Sequence, residues 1–292
     1  MNSVITEIQK GSFKELARLI SLVENEAEGY ENILQQLQSK NNTLIIGITG
    51  APGSGKSTLT DAIIHEIVQQ NKRVGVLCVD PSSPFNLGAL LGDRIRMNEW
   101  YSNPNVFIRS LATRGSLGGL HPKIIEITDV MKIAAFDYII IETVGVGQSE
   151  VEIAGLADIT IVVIIPEGGD EIQTIKAGVM EIADIFVVNK SDRPGADIFV
   201  KNLSAMNAEI PVIKTVAIDR TGIQELMKNI QEQQHKTSGK KVWLLTEKAY
   251  QLIQKNRMKG IDKIELKNLI EAETKKPDFN LYNFITAHYV KG

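Results

Sequence analysis

The octapeptide Gly50-Ala51-Pro52-Gly53-Ser54-Gly55-Lys56-Ser57 constrains this chain more than any other stretch. It matches G-x-x-x-x-G-K-[ST], a pattern that works only as the turn between a strand and a helix. The flanks comply: the apolar run Leu44 to Ile48 precedes it, and Leu59, Ile63, Ile64, Ile67 and Val68 follow at helical spacing. The glycines let backbone N–H groups turn inward around phosphate oxygens, and the lysine reaches the outer phosphates. A serine hydroxyl at position 57 is placed to ligate Mg²⁺, and the start of a helix adds its positive dipole end. Gly53, Ser54, Gly55, Lys56, Ser57 and Thr58 are therefore the expected cradle of a nucleoside triphosphate.

Similar apolar, β-branched runs recur at 74–79, 138–141, 159–165, 185–188 and 212–216, separated by segments long enough for crossover helices. Little polar alternation within the runs predicts strands buried on both faces, hence an α/β fold with a mostly parallel sheet. In such sheets ligands gather at the carboxyl ends of the strands. Phe13, Leu16, Ala17, Ile20 and Val23 fall at helical spacing and predict a helical preface over residues 3–39. Helical faces return with Leu245, Ala249, Leu252 and Ile253, then Leu266, Leu269 and Ile270, then Leu281, Phe284, Ile285 and Tyr289. The polar stretch 231–241 reads as a linker, which divides the chain into an extension over 1–40, a nucleotide-binding domain over 41–230 and a helical region over 231–292.

Composition narrows the function classes. A formal net charge of −3 offers no basic stripe for nucleic acid. The single cysteine, Cys78, lies inside an apolar run and reads as a core thiol. The longest apolar stretch, 159–166, is far short of the roughly 20 residues that span a bilayer. Residues 1–10 carry Glu7 and lack the apolar core of a secretory signal, so a cytoplasmic location is expected.

Asn189-Lys190-Ser191-Asp192 closes the 185–188 run and matches N-K-x-D. The Asp192 carboxylate would accept from guanine N1–H and the exocyclic amino group, whereas adenine presents an acceptor at N1. A carboxylate facing an acceptor is costly, so GTP is expected over ATP. Asn189 would hold the base edge and neighbouring loops, and the Lys190 stem would cover the ring. Asp80, Asp93 and Glu142 supply carboxylates at or beyond strand ends, and with Ser57 they fit the oxygen shell that Mg²⁺ takes on a triphosphate. Asp80 and Glu142 are read as ending strands that flank the phosphate loop, Glu142 on the third strand. Glu142-Thr143-Val144-Gly145 is similar to the D-x-x-G of Ras-like GTPases, with Glu142 longer by one methylene, and that likeness implies that the Gly145 N–H meets the γ-phosphate. The water-orienting group stays open between Gln148, backbone and a partner, and the transition-state cation between Arg94, Arg96, Arg114, Lys176 and another chain.

Taken together, GAPGSGKST, VDPSSP with GDR downstream, ATRGSLGGL, ETVGVGQSE, GDEIQTIKAG and NKSD resemble the MeaB/ArgK family of GTPases, relatives of the human methylmalonic aciduria type A protein. The resemblance spans about residues 10–225. It implies a P-loop GTPase of the SIMIBI class that works as a homodimer and as a chaperone for an adenosylcobalamin-dependent acyl-CoA mutase, usually methylmalonyl-CoA mutase. GTP hydrolysis would gate cofactor loading and protect or reactivate the mutase. The family's magnesium ligands fall on Ser57, Asp80, Asp93 and Glu142, its phosphate-loop lysine on Lys56, and its guanine readers on Asn189, Lys190 and Asp192. Its switch segments fall on about 82–98, 143–155 and 167–178, the last carrying Lys176. The C-terminal helices occupy the place of its dimerisation arm. Three other readings stand beside this one: a nickel-type metallochaperone GTPase, a phosphotransferase linked to basic amino acid transport, and an assembly module with negligible hydrolysis.

Overall fold

A computed structural model describes residues 2–37, 42–80, 97–114, 120–144, 149–166, 181–233, 240–258, 260–276 and 279–289. The chain divides into two units, Met1–Leu244 and Leu245–Gly292. The first is built on a 7-stranded sheet in the order β3-β2-β4-β1-β5-β6-β7, every pairing parallel. The strands are β1 (Leu44–Gly50), β2 (Val74–Asp80), β3 (Val106–Ala112), β4 (Tyr138–Glu142), β5 (Ile159–Ile164), β6 (Ile185–Val188) and β7 (Val212–Lys214).

Successive residues of a strand point to opposite faces, and both faces here are covered. On one side Ile46, Ile48, Val76, Cys78, Ile140, Ile161 and Val163 pack under the helices α4 (Lys56–Gln69) and α8 (Ile223–Gln233). On the other, Ile45, Leu77, Val79, Ile139 and Ile141 meet the N-terminal helices α1 (Asn2–Gln9), α2 (Phe13–Glu24) and α3 (Tyr30–Gln36), with α5 (Ile124–Lys132) and α6 (Ser149–Leu156). Phe199 and Leu203 of α7 (Ala196–Met206) cover Val162, Phe186 and Val188. Two-sided burial is why the runs show no alternation, and why crossover helices join them.

Three points of the sheet differ from the sequence reading. Val106–Ala112 is a strand that the apolar runs did not reveal, so Glu142 ends the fourth strand and not the third. β3 is an edge strand whose centre carries Arg109 and Ser110, and these polar residues break the apolar run. The neighbours of β1 are β4 and β5, so Glu142 flanks the phosphate-loop strand while Asp80 lies one strand further out. The final strand is shorter than read, Val212–Lys214, with Val216 in an isolated bridge to Thr221. Of the stretch read as a linker, residues 231–233 belong to α8 and 240–241 open the next helix; 234–239 lie outside the described residues.

The N-terminal helices are tied to the sheet edge by charge as well as apolar contact. Arg109 donates to Glu24 at 2.6 Å, and Arg114 donates to the Glu24 carbonyl at 3.0 Å and to Asn25 at 2.8 Å. Lys123 pairs with Glu26 at 2.8 Å and donates to the Tyr30 hydroxyl at 3.2 Å. Burial works against the Lys123 charge, but these partners and Glu126 more than offset it and hold its pKa up at about 12. Beside them the buried His121 accepts from the Lys123 N–H at 3.0 Å. Burial pushes its imidazole down to about 4; Arg114 and Lys123 act in the same direction, and Glu24 and Glu126 oppose them. The unfolded chain, with an ordinary value of 6.5, therefore takes up this proton first. Native stability from this group is complete above about pH 6.5 and is lost as pH falls towards 4. His121→Gln should flatten that acid limb, checked by melting temperatures at neutral pH and near pH 5; an unchanged limb refutes the assignment.

The C-terminal unit contains most of α9 (Lys240–Arg257), then α10 (Lys263–Glu273) and α11 (Leu281–His288). Asp262 caps α10 by accepting from the N–H groups of Ile264 and Glu265, and Asn280 does the same for α11. Phe284 is buried among the rings of Phe279, His288 and Tyr289. Tyr250, Leu252, Ile253, Leu269, Tyr282 and Ile285 of this unit are exposed.

Candidate functional site

The carboxyl ends of β1, β4 and β2 form one rim. Ile48 pairs with Glu142, and Glu142 pairs with Cys78, so Gly50 and Asp80 each extend two residues beyond that level on either side of β4. The chain leaves β1 through Gly50, whose φ of 146° suits glycine, and a Cβ there would strike the Val163 carbonyl of β5. It then turns through Ala51 to Gly55 into α4. Lys56 is buried, with Nζ donating to the carbonyls of Gly50 at 2.9 Å and Ala51 at 3.1 Å. The lysine thus spans the loop from inside. Ser54 Oγ is buried and has no hydrogen-bond partner among the described residues, an arrangement that costs free energy unless a ligand oxygen or water supplies one. The first N–H groups of α4 likewise have no intrahelical acceptor. An orphaned hydroxyl and a helix start in one concave loop suit a bound phosphate.

Glu142 ends β4 with only 2% of its surface exposed. Its Oε1 accepts from Ser57 Oγ at 2.6 Å and its Oε2 from Thr60 Oγ1 at 2.9 Å. A buried carboxylate touching a hydroxyl at the first turn of α4 is the donor chemistry of a hard cation site, and so Mg²⁺ fits these residues. Asp80, also buried, closes β2 on the same rim, and its carbonyl accepts from the Thr113 N–H at 3.1 Å. Arg114 follows and is engaged with Glu24 and Asn25. Asp93, Gly145, Gln148, Lys176, Arg94 and Arg96 lie outside the described residues.

A cavity of about 290 Å³ opens beside the loop, lined by Gly55, Thr58, Lys190, Asp192, Ile218 and Asp219 among others. Asn189 is the bolt between its walls. Its Nδ2 donates to the Ser54 carbonyl at 2.9 Å, while Oδ1 accepts from Thr215 Oγ1 and the Ala217 N–H, both at 3.1 Å. Gly55 completes the fit: its φ is 92°, and a Cβ would collide with the Asn189 amide. Lys190, at φ 55°, extends over the loop to donate from Nζ to the Gly53 carbonyl at 2.9 Å. Asp192 is exposed at the cavity wall, where a base edge can meet its carboxylate.

A family model described as methylmalonyl-CoA mutase-associated GTPase MeaB matches residues 16–273. The chain belongs to the MeaB family. As a MeaB-family GTPase it takes GTP as substrate. A Pyrococcus abyssi protein that carries a GTPase name is 44% identical over 292 residues, covering 96% of this chain and 89% of the relative. GTPase ArgK of Escherichia coli is 40% identical over 193 residues, 64% of this chain and 58% of that protein. The mouse mitochondrial methylmalonic aciduria type A homolog is 35% identical over 294 residues, 88% of this chain and 70% of the relative. Among solved structures, one described as LAO/AO transport system kinase superposes with a TM-score of 0.68 at 23% identity, over 98% of this chain and 95% of that one. HypB of Helicobacter pylori, solved with nickel, gives 0.51 at 18% identity over 75% and 99%. These two likenesses are of fold, the P-loop α/β architecture that the runs and the phosphate loop predicted.

Sequence reasoning passed over two parts of the site. Thr60 is three residues beyond Ser57 on α4, and that spacing alone puts both hydroxyls on one helix face. The segment 216–219 after β7 lines the cavity; its signal is its place at a strand's carboxyl end. Among the described residues no helix is long and apolar enough to cross a membrane.

Proposed function

We propose that this MeaB-family chain is a Mg²⁺-dependent GTPase that serves an adenosylcobalamin-dependent acyl-CoA mutase of the methylmalonyl-CoA type as a chaperone, gating cofactor loading and protecting or reactivating the mutase. The family description and the name of the mouse relative support the mutase as partner. The observation that carries the switch reading is the grip of Ser57 and Thr60 on Glu142. Glu142 ties β4 to the phosphate-loop helix and directly precedes the segment 143–155, so a change at the nucleotide has a route to that segment through this buried carboxylate.

In this reading Gly53 to Thr58 hold the phosphates and Lys56 neutralises the outer ones. Asn189, Lys190 and Asp192 orient and select the guanine. Ser57, Asp80 and Glu142, with Asp93, would hold Mg²⁺, which supplies charge stabilisation on the phosphate oxygens. Gly145 and Lys176 belong to the catalytic proposal through the family resemblance. The exposed apolar side chains of the C-terminal unit support its role as a homodimerisation arm.

The test is GTP hydrolysis by the chain alone and with a cobalamin-dependent mutase, with sedimentation run on the same samples. Low basal turnover that rises about tenfold or more with the mutase, from a dimeric chain, is the expected result. Unchanged turnover and no co-sedimentation would overturn the chaperone reading. Transfer of phosphate to a protein acceptor would instead favour a kinase.

A further inference from the structure

Glu142 has both carboxylate oxygens committed to hydroxyls of one helix. Ser57 Oγ donates to Oε1 at 2.6 Å and Thr60 Oγ1 donates to Oε2 at 2.9 Å. Aspartate in place of Glu142 is shorter by one methylene, and it is the longer side chain that here reaches two hydroxyls three residues apart on α4. A free glutamate explores several rotamers, and freezing them costs conformational entropy. Thr60 supplies a fixed donor for that purpose. It is fully buried, and a β-branched side chain in a helix has few χ1 choices.

The Thr60 hydroxyl has one hydrogen and two acceptors in reach, Glu142 Oε2 and the Lys56 carbonyl, each at 2.9 Å. A charged acceptor forms the stronger bond, so an ionised Glu142 takes that hydrogen. Oε1 is then left aimed at Ser57, where the phosphate loop passes into α4.

We infer that Thr60 is a positioning residue: its hydroxyl orients the Glu142 carboxylate so that Oε1 and Ser57 Oγ together present a preformed oxygen pair to the nucleotide-bound Mg²⁺. This rests on the reading of Glu142 and Ser57 as magnesium ligands. Thr60 does not touch the cation or the phosphates; it acts through Glu142. Side chains that hold a ligand's second oxygen commonly set how well the first one binds.

The test uses Thr60→Val, which keeps the shape and removes the hydroxyl, and Thr60→Ser, which keeps the hydroxyl. The binding readout is the Mg²⁺ concentration that half-maximally slows release of a fluorescent GDP, beside the Mg²⁺ dependence of GTP hydrolysis. Thr60→Val should raise the Mg²⁺ requirement about tenfold in both assays, the scale of losing a hydrogen bond to a charged group, while GDP affinity without Mg²⁺ stays within about twofold. Thr60→Ser should restore most of the loss. In a Glu142→Gln background, Thr60→Val should add less than about twofold, because coupled residues are non-additive. If Glu142→Gln raises the requirement and Thr60→Val does not, the positioning role is overturned and the magnesium reading stands. A full Thr60→Val effect in the Glu142→Gln background also overturns it. If neither substitution moves the Mg²⁺ dependence, the magnesium reading fails and the inference falls with it.

Discussion

A Lys56→Ala chain should lose GTP turnover by at least about a thousandfold in kcat/KM while remaining folded. The size follows from charge. Removing one neutral donor from a developing oxyanion already costs about a hundred- to a thousandfold, and a buried ammonium aimed at phosphate oxygens is the stronger, charge-assisted case. The Gly50 and Ala51 carbonyls, which accept from Nζ at 2.9 and 3.1 Å, lose that donor in the variant, a cost to stability far smaller than the contribution of the apolar core that holds the sheet. Phosphate release measured beside thermal unfolding separates the two effects. Hydrolysis within tenfold of the parent chain would refute the phosphate-loop assignment.

Asp192→Asn should weaken GTP by about a hundredfold or more and leave ATP nearly unchanged. The carboxylate accepts from both N–H groups of the guanine edge, whereas an amide turns a donor towards one of them. That leaves a polar pair facing donor to donor in a partly closed cavity, the costly case for recognition. ATP never made those bonds and loses nothing. Asn189 secures the phosphate loop to the 215–217 segment, so the pocket walls stay in place in the variant. Titration of both nucleotides on one preparation gives the ratio; equal weakening would remove Asp192 from guanine reading.

Much of this was readable in the residue order. The phosphate loop could be read because its chemistry lies in consecutive residues, with glycines at 50, 53 and 55 all at positive φ. The strands β1, β2, β4, β5 and β6 were legible as unbroken apolar runs because each is covered on both faces. Val106–Ala112 escaped because an edge strand needs only part of its surface apolar, and its Arg109 answers Glu24, 85 residues away. Likewise, nothing in the spacing of Asp80 and Glu142 says which strand lies beside β1, since strand order follows from the packing of crossover helices.

Sequence by itself carried the family and the phosphate-loop and N-K-x-D motifs, because short contiguous segments dictate local backbone geometry and carry their own donors and acceptors. Tertiary structure alone decided that Glu142 and not Asp80 adjoins the phosphate-loop strand, that Asn189 joins three segments, and that Thr60 holds the second oxygen of Glu142. Those relations join residues brought together by sheet order and side-chain burial, which depend on the packing of the whole unit and leave no mark on the spacing of letters.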